Sequence, residues 1–241
     1  MKAVILAGGT GSRLKPLTSW TNKHLLPIGN YPMICYGVAK LREAGIRELV
    51  IVTTRSALGG FSQVLGSGLE WGVSIIYRVQ EEAGGIAQAL ELARPLMKPG
   101  EKFAVLLGDN LFEDSLASYF KQFENQDGGA MVLVKKVDDP TRYGVPTFSA
   151  PPEKIAYIRE KPERPESNYC VIGLYFYDDR VFHIIDGVKP SRRGELEITD
   201  VNNAYALAGK LEFCELRGWW TDAGTFDSME EAGIKLKGTL P

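Results

Sequence analysis

Residues 3 to 13, Ala-Val-Ile-Leu-Ala-Gly-Gly-Thr-Gly-Ser-Arg, decide the fold. An apolar strand that breaks into glycines exposes backbone N–H groups where no Cβ blocks a ligand, and the arginine adds fixed positive charge. A P-loop would need Gly-Lys-Ser/Thr where Gly11-Ser12-Arg13 stands, and a dinucleotide fingerprint would need a third glycine at Leu14. The glycines alone are equally compatible with a plain turn. Arg13 and the nearby Lys23 favour a triphosphate-binding loop.

The composition is that of one α/β domain. The chain has 241 residues, 44% of them hydrophobic, and a net charge of −2. Its length and apolar content suit a single domain over residues 1–241, and its charge argues against a general nucleic-acid or membrane surface. The N-terminus does not resemble a signal peptide, and no stretch approaches the ~20 apolar residues of a membrane span. We therefore expect a cytoplasmic protein with a local phosphate site.

Cysteine and histidine usage excludes two other classes. Cys35, Cys170 and Cys214 are an odd number at wide spacings, which suits neither a disulfide framework nor a zinc site, so we expect buried, reduced thiols. The only histidines are His24 and His183, with no obvious ligand partners. A bound metal should therefore be held by oxygen and be Mg²⁺ rather than zinc.

Apolar runs alternate with helical patterns along the first half of the chain. Strands are predicted at 3–6, 49–52, 73–77 and 103–107, with helices at 33–43, 57–65 and 86–95. This alternation predicts a Rossmann-like, mostly parallel central sheet flanked by helices, with ligands at the carboxyl ends of the strands. The second half is richer in strands and reads as an insertion on the same core. There, strands are predicted at 130–136, 154–159, 169–176 and 211–215, and helices near 179–186, 197–209 and 225–236.

Two aspartates are candidate metal ligands. The predicted strand 103–107 ends in Gly108-Asp109-Asn110, which places a carboxylate at the same sheet edge as the glycine loop. Asp222 follows two tryptophans in a distant segment and supplies the second carboxylate that a Mg²⁺ bridging phosphates requires. Taken singly, each aspartate is also compatible with simple turn chemistry.

Charged residues in the second half are candidate sugar-phosphate ligands. Glu160 can accept hydrogen bonds from sugar hydroxyls and Lys161 can face a phosphate, although an isolated pair of this kind more often marks a solvated strand end. Arg193 precedes a helix whose first residues are acidic, which suits the positive end of that helix. It could still reach an anion.

A series of motifs resembles the sugar-nucleotide pyrophosphorylases over residues 2 to about 235. In chain order they are the glycine loop with Arg13, Asn22-Lys23-His24-Leu25-Leu26-Pro27, Gly85-Ile86-Ala87-Gln88-Ala89, Gly108-Asp109-Asn110, Glu160-Lys161-Pro162, residues 194–200 and Asp222-Ala223-Gly224-Thr225. Within that family the chain is most similar to members that use dTTP. The resemblance implies attack of glucose 1-phosphate on the α-phosphorus of dTTP, with Mg²⁺, to give dTDP-glucose and pyrophosphate. It also implies a homo-oligomer.

The resemblance implies a role for each matching position. Arg13 and Lys23 would be catalytic, and Asp109 and Asp222 would bind Mg²⁺. The implied nucleotide-binding residues are Leu6, Ala7, Gly8, Gly9, Gly11, Gln80, Gly85 and Asp109. The implied substrate-binding residues are Tyr143, Gly144, Glu160, Lys161, Val171 and Arg193.

Two departures and two alternatives accompany this interpretation. Pro146-Thr147 is expected to interrupt the strand after Tyr143-Gly144-Val145, because proline cannot donate to a ladder. The chain ends soon after the last predicted helix, from which we expect weak or absent feedback inhibition. A uridylyltransferase acting on the same sugar phosphate remains an alternative. A non-catalytic nucleotide-sugar-binding module is the other, although such a module would be expected to lack at least one of Arg13, Lys23, Asp109 and Asp222.

Overall fold

A computed structural model describes residues 1–149, 154–239 and 241. The strands are β1 (Lys2–Ala7), β2 (Pro27–Ile28), β3 (Tyr31–Pro32), β4 (Glu48–Thr54), β5 (Ser74–Gln80), β6 (Phe103–Leu107), β7 (Asn110–Phe112), β8 (Ala130–Lys136), β9 (Gly144–Phe148), β10 (Ile155–Glu160), β11 (Tyr169–Tyr177), β12 (Leu211–Glu215) and β13 (Trp220–Asp222). The helices are α1 (Met33–Glu43), α2 (Leu58–Leu65), α3 (Ile86–Glu91), α4 (Ala117–Asn125), α5 (Val181–Gly187), α6 (Ile198–Leu207) and α7 (Phe226–Lys235).

The described residues group into two compact units. Unit 1 consists of Met1–Ala83, Leu106–Ser118 and Gly218–Pro241, and unit 2 of Gly84–Val105 and Tyr119–Arg217. The expectation of a single domain over residues 1–241 stays a prediction. Within the described part of the chain, no helix combines the length and the apolar character needed to cross a bilayer.

Unit 1 is built on parallel strands. β1 pairs with β4 and β4 with β5, all parallel, with Ala7 opposite Thr53 and Thr54 opposite Gln80. β1 and most of β4 are buried, as expected for strands covered on both faces. Because the strands run parallel, their carboxyl ends lie at one edge, which places the loop after β1 there. A second, antiparallel pair joins β7 to β13.

Unit 2 is mainly antiparallel. β11 pairs antiparallel with β8, and β10 with β9, while β12 adds to β8 in parallel. Aromatic side chains fill its core: Phe103 stacks on Phe182 with ring centroids 5.6 Å apart, and Phe120 meets Phe176 edge to face at 5.0 Å. The strand-rich character predicted for this part of the chain is therefore confirmed.

The expected interruption at Pro146 is wrong, because β9 continues through this residue. Pro146 lies opposite Ile158 of β10, whose backbone N–H and C=O both bond the Asn203 side chain at 2.8 Å. In an antiparallel ladder such a pair makes no bond across the strands, so the missing N–H of proline costs nothing there. β9 meets β11 only at Gly144 opposite Val171. Proline therefore ends the pairing with β11 and leaves the hairpin with β10 intact.

Most predicted elements are present with small shifts of their ends. The strands predicted at 103–107, 130–136 and 211–215 and the helix predicted at 33–43 have those bounds. The helix predicted at 86–95 ends at Glu91, and a separate 3-10 turn, Arg94–Leu96, contains Pro95, which cannot continue a helix. The cysteines are free thiols: Cys35 and Cys170 are buried as predicted, whereas Cys214 is only half-buried.

Candidate functional site

The glycine loop follows β1 in unit 1 and closes over a 3-10 turn, Ser12–Leu14. Gly11 has a φ of 63°, and a Cβ there would lie 2.8 Å from Thr18 Cγ2. The Thr18 hydroxyl donates to the Gly11 carbonyl at 2.8 Å and so holds the glycine loop against the turn that follows it. Both the left-handed backbone and the lack of space therefore require glycine at this position.

Gln80 lies against the same loop. A Cβ on Gly8 would stand 2.0 Å from Gln80 Oε1, so the bare backbone of Gly8 makes room for that side chain. The two residues before the loop support it: the Leu6 carbonyl accepts from Gly108 N–H at 3.0 Å and the Ala7 carbonyl from Asn22 Nδ2 at 3.1 Å. The predicted nucleotide residues of unit 1 thus lie at or after the carboxyl ends of β1, β5 and β6.

Lys23 joins the glycine loop to Asp109. Its side chain runs past Gly9, where a Cβ would lie 3.4 Å from Lys23 Cε, and its Nζ makes a direct ion pair with Asp109 Oδ2. Both side chains are largely buried, at 13% and 11% exposed. Burial raises the pKa of the Asp109 carboxyl, but the charge of Lys23 and the hydrogen bonds to the carboxylate outweigh burial and hold that pKa below its usual range.

Two further side chains hold the Asp109 carboxylate in place, and the sequence analysis named their positions but not their contacts. Asn110 Nδ2 donates to Asp109 Oδ1 at 3.0 Å, and Trp220 Nε1 donates to Asn110 Oδ1 at 2.8 Å. Burial and the Lys23 charge lower the pKa of His24 to about 3, so its ring is neutral and sits 2.7 Å from Asn22 Oδ1. The sequence placed two tryptophans shortly before Asp222, but nothing in that stretch indicated which partner the indole nitrogen takes.

Asp222 comes close to Asp109 through backbone pairing. Asp222 lies opposite Asn110 across β13 and β7, and the next residue, Ala223, donates its N–H to the Asp109 carbonyl at 2.8 Å. Arg13 Nη2 stands 3.9 Å from Asp222 Oδ2 and is about half exposed. Each candidate metal ligand in unit 1 therefore faces one of the two candidate catalytic cations.

These two aspartates fit the predicted cation chemically. Carboxylate oxygens are the protein ligands that Mg²⁺ uses, usually one or two of them together with phosphates and water. Over residues 1–149, 154–239 and 241, no group of three or more His, Cys, Asp and Glu side chains is arranged to hold a metal. The donors that Asp109 and Asp222 offer are two carboxylates, which suits Mg²⁺.

Unit 2 brings together the predicted sugar-phosphate residues. Glu160 Oε1 is 3.4 Å from Lys161 Nζ and 3.7 Å from Arg193 Nη2, and its other oxygen accepts a 2.5 Å hydrogen bond from Thr199 Oγ1. Arg193 is held more closely by Glu197, with Nη2 to Oε2 at 2.8 Å. Thr199 was not singled out from the sequence, although it lies within the motif at 194–200.

Gly144 borders this charged group. A Cβ on Gly144 would be 3.1 Å from Ile158 Cγ2, 3.5 Å from Thr199 Oγ1 and 3.7 Å from Glu160 Oε2. Val171 is the register partner of Gly144, and the Tyr143 carbonyl accepts from Lys161 N–H at 2.9 Å. The predicted residues from 143 to 171 thus form one constellation.

Gly85 belongs to unit 2, whereas Gln80, which the resemblance also implies to bind the nucleotide, belongs to unit 1. Gly85 has a φ of 99°, and a Cβ there would lie 2.6 Å from the Leu196 carbonyl oxygen. The flanking Gly84 carbonyl accepts from Leu196 N–H at 2.8 Å. The glycine therefore allows a close backbone approach between residues 84–87 and 195–196.

Comparisons with known proteins identify the family of this chain. The family model "Nucleotidyl transferase" matches residues 2–238. Glucose-1-phosphate thymidylyltransferase of Xanthomonas campestris pv. campestris (strain B100) is 44% identical over 234 residues, which cover 96% of this chain and 79% of that protein. The protein of the same name from Mycobacterium tuberculosis (strain ATCC 25618 / H37Rv) is 43% identical over 235 residues, covering 96% of this chain and 81% of that protein.

Solved structures give the same result for the fold. A Bacillus anthracis crystal structure described as a glucose-1-phosphate thymidylyltransferase in complex with a sucrose superposes with a TM-score of 0.95 and 50% identity, covering 100% of this chain and 97% of that one. A UDP-glucose pyrophosphorylase complexed with UDP-glucose gives a TM-score of 0.85 at 26% identity, with 97% of each chain covered. These likenesses confirm the predicted α/β fold class.

Proposed function

This chain belongs to the nucleotidyl transferase family, and from that premise we propose that it transfers the thymidylyl group of dTTP to glucose 1-phosphate, releasing pyrophosphate and forming dTDP-glucose. It is a nucleotidyltransferase enzyme. Relatives that are 40–44% identical and bear the name glucose-1-phosphate thymidylyltransferase support this substrate pair. The observation that carries the proposal is the juxtaposition, in unit 1, of a glycine loop with Lys23 against Asp109 and Arg13 beside Asp222.

The reaction needs positioning and charge stabilisation rather than a protein nucleophile. A phosphate oxygen of glucose 1-phosphate forms a bond to the α-phosphorus of dTTP while the bond from that phosphorus to the bridging oxygen breaks, and the electron pair leaves with pyrophosphate. The attacking oxygen is already anionic near neutral pH, so no strong general base is required. We assign stabilisation of the growing negative charge to Arg13, Lys23 and the backbone N–H groups of residues 8–11.

Asp109 and Asp222 are the residues that would hold Mg²⁺. When bound, the ion supplies positive charge to the phosphate oxygens and lowers the barrier to displacement. Because the pKa of Asp109 is low, its carboxyl group is ionised at neutral pH and needs no base to deprotonate it. Asn110 orients this carboxylate by donating a hydrogen bond to it, and Trp220 holds Asn110 by donating to its side-chain oxygen.

The sugar phosphate is assigned to the constellation in unit 2. Glu160 would accept hydrogen bonds from glucose hydroxyls, and Lys161 and Arg193 would bind the phosphate, while the absence of a side chain at Gly144 leaves room for the sugar. Tyr143 and Val171 are also assigned to binding the sugar phosphate. Arg193 starts out bonded to Glu197, so a phosphate has to compete with that carboxylate.

The choice of nucleotide is assigned to Gln80 and Gly85. Thymine and uracil differ by one methyl group, which an apolar contact discriminates by only about 1–3 kcal/mol. Partial use of UTP is therefore expected alongside a preference for dTTP. We further propose a cytoplasmic homo-oligomer, as the family resemblance implies; light scattering of the purified chain tests its oligomeric state.

Pyrophosphate release tests the reaction directly. The full chain is assayed with Mg²⁺ and glucose 1-phosphate at subsaturating dTTP, UTP, ATP, GTP or CTP, and the values of kcat/KM are compared. The highest value with dTTP is the expected result. The highest value with UTP would assign the chain as a uridylyltransferase, and release with none of the nucleotides would contradict the proposed reaction.

A further inference from the structure

Helix α6 is fastened to strand β10 by two side chains in unit 2. Thr199 donates to the Glu160 carboxylate at 2.5 Å. One turn further on, Asn203 accepts a hydrogen bond from the Ile158 N–H and donates one to the Ile158 carbonyl, both at 2.8 Å. The amide of Asn203 thus bonds both backbone groups of one residue, as a neighbouring strand would.

The spacing of these fastenings matches on both elements. Residues 199 and 203 are four apart on a helix, which separates them by about 6 Å along its axis on one face. Ile158 and Glu160 are two apart on a strand, about 6.6 Å, which is close to the spacing of their partners on the helix. The helix and the strand can therefore be joined at both points without distortion of either.

The hydrogen bonds between Asn203 and Ile158 lie just before Glu160 and Lys161, which are assigned to the sugar phosphate. β10 is the last strand of its sheet, so its outer side has Asn203 in place of a neighbouring strand. Directly after β10, Lys161 adopts a φ of 44°, a left-handed conformation that surrounding contacts must hold in place. Its N–H bonds the Tyr143 carbonyl at 2.9 Å.

We infer that Asn203 is a positioning residue for sugar-phosphate binding: by clamping Ile158, it sets where Glu160 and Lys161 stand. Asn203 itself touches no reacting group. The inference rests on the proposed function, because it takes Glu160 and Lys161 as the residues that contact glucose 1-phosphate. Loss of the clamp would raise the KM for glucose 1-phosphate selectively, since every residue assigned to the nucleotide except Gly85 belongs to unit 1.

Two substitutions test the clamp. Asn203→Leu keeps the size of the side chain and removes both hydrogen bonds, and we expect the KM for glucose 1-phosphate to rise about 10-fold, since misplacement by 1 Å can cost as much as 10²-fold. Asn203→Asp keeps the acceptor and loses the donor, and should give an intermediate rise. The kcat and the KM for dTTP should stay within about twofold of the wild-type values in both variants.

The matched control is Tyr177→Phe. It removes a buried hydrogen bond from the Tyr177 hydroxyl to Asn202 Oδ1, 2.6 Å long, on the same helix but away from β10. It should lower the melting temperature without a selective effect on glucose 1-phosphate. Hydrogen exchange of the Lys161 amide adds a readout that needs no substrate, and exchange should be faster in both Asn203 variants than in the wild type.

The outcomes separate the inference from the proposed function. A selective rise in the KM for glucose 1-phosphate, absent from the control, supports the clamp. The inference would be overturned if both KM values changed equally, if Tyr177→Phe produced the same change, or if neither KM value changed. If Asn203→Leu does not fold, Asn203→Asp carries the same comparison. If the wild-type chain releases no pyrophosphate, the proposed function is wrong. If hydrogen exchange of the Lys161 amide is the same in the variants and the wild type, the clamp by Asn203 is refuted whatever the activity.

Discussion

Replacing Lys23 by methionine should expose how strongly the buried Asp109 carboxylate depends on its partner. Both side chains are nearly covered, so the substitution leaves a carboxylate without its counterion in a poorly solvated position. Removing one partner of a buried pair typically costs about 3–5 kcal/mol of unfolding free energy. At roughly 2–4 °C per kcal/mol for a chain of this length, the melting temperature of Lys23→Met should fall by about 6–20 °C.

The loss of stability in Lys23→Met should depend on pH, and the pKa of Asp109 determines the direction of that dependence. In the wild type the pKa of Asp109 is lowered in the folded state, so its stabilising contribution is present above the unfolded value of about 3.9 and is lost as the pH falls through the folded value. Without Lys23, burial becomes the leading influence and raises this pKa. The loss of unfolding free energy in Lys23→Met should then be largest near pH 8 and become smaller as the pH falls towards 5.

The assay is thermal unfolding followed by circular dichroism at several pH values, with Lys23→Met/Asp109→Asn as the matched control. The double variant has no buried charge at this place and should recover most of the stability, yet remain inactive in pyrophosphate release. A Lys23→Met protein as stable as the wild type would refute the reasoning. So would a double variant that recovers nothing, because the loss would then come from packing rather than charge.

Three other predictions concern single features. Arg13→Ala should lower kcat by about 10²- to 10³-fold in the pyrophosphate-release assay, with an unchanged melting temperature because Arg13 is half exposed and only loosely paired; wild-type turnover would contradict its role. Gly85→Ala should lower the unfolding free energy by roughly 1–3 kcal/mol in urea titration, because its φ of 99° and the nearby Leu196 carbonyl both exclude a Cβ, and wild-type stability would be the contrary result. Chelation of divalent cations with EDTA should abolish pyrophosphate release while added Mg²⁺ restores it, and activity that persists in the chelator would count against the assigned carboxylate pair.

The sequence predicted β1 and β6 well because they are short, buried and bounded by glycine or charged residues. The run at 103–107 is continuously apolar and ends in Gly-Asp-Asn, so both its type and its end were readable. Helix α4 was missed because its aromatic residues at 119, 120 and 123 give too short a pattern to indicate a helix. The strand through Pro146 was misjudged because the cost of a missing N–H depends on which side of the strand it faces, and that depends on register.

Local motifs located the candidate site residues, but not their partners. A carboxylate after a buried strand predicted the place of Asp109, whereas its ion pair with Lys23, 86 positions away, depends on the tertiary fold. The same holds for Thr199 and Asn203, whose importance comes from residues near 160 and not from their own neighbours in sequence. Side-chain hydrogen bonds across long sequence separations leave no periodic signal for a single sequence to show.

The hairpin of β9 and β10 is also protected against pairing with foreign chains. Exposed extended segments invite aggregation when they present free N–H and C=O groups to another molecule. Here the Ile158 groups are occupied by Asn203, while Pro146 offers no N–H and its carbonyl accepts from Ser167 Oγ at 2.8 Å. Asn203 and Pro146 thus leave no free backbone N–H at these two positions for a strand of another molecule to pair with.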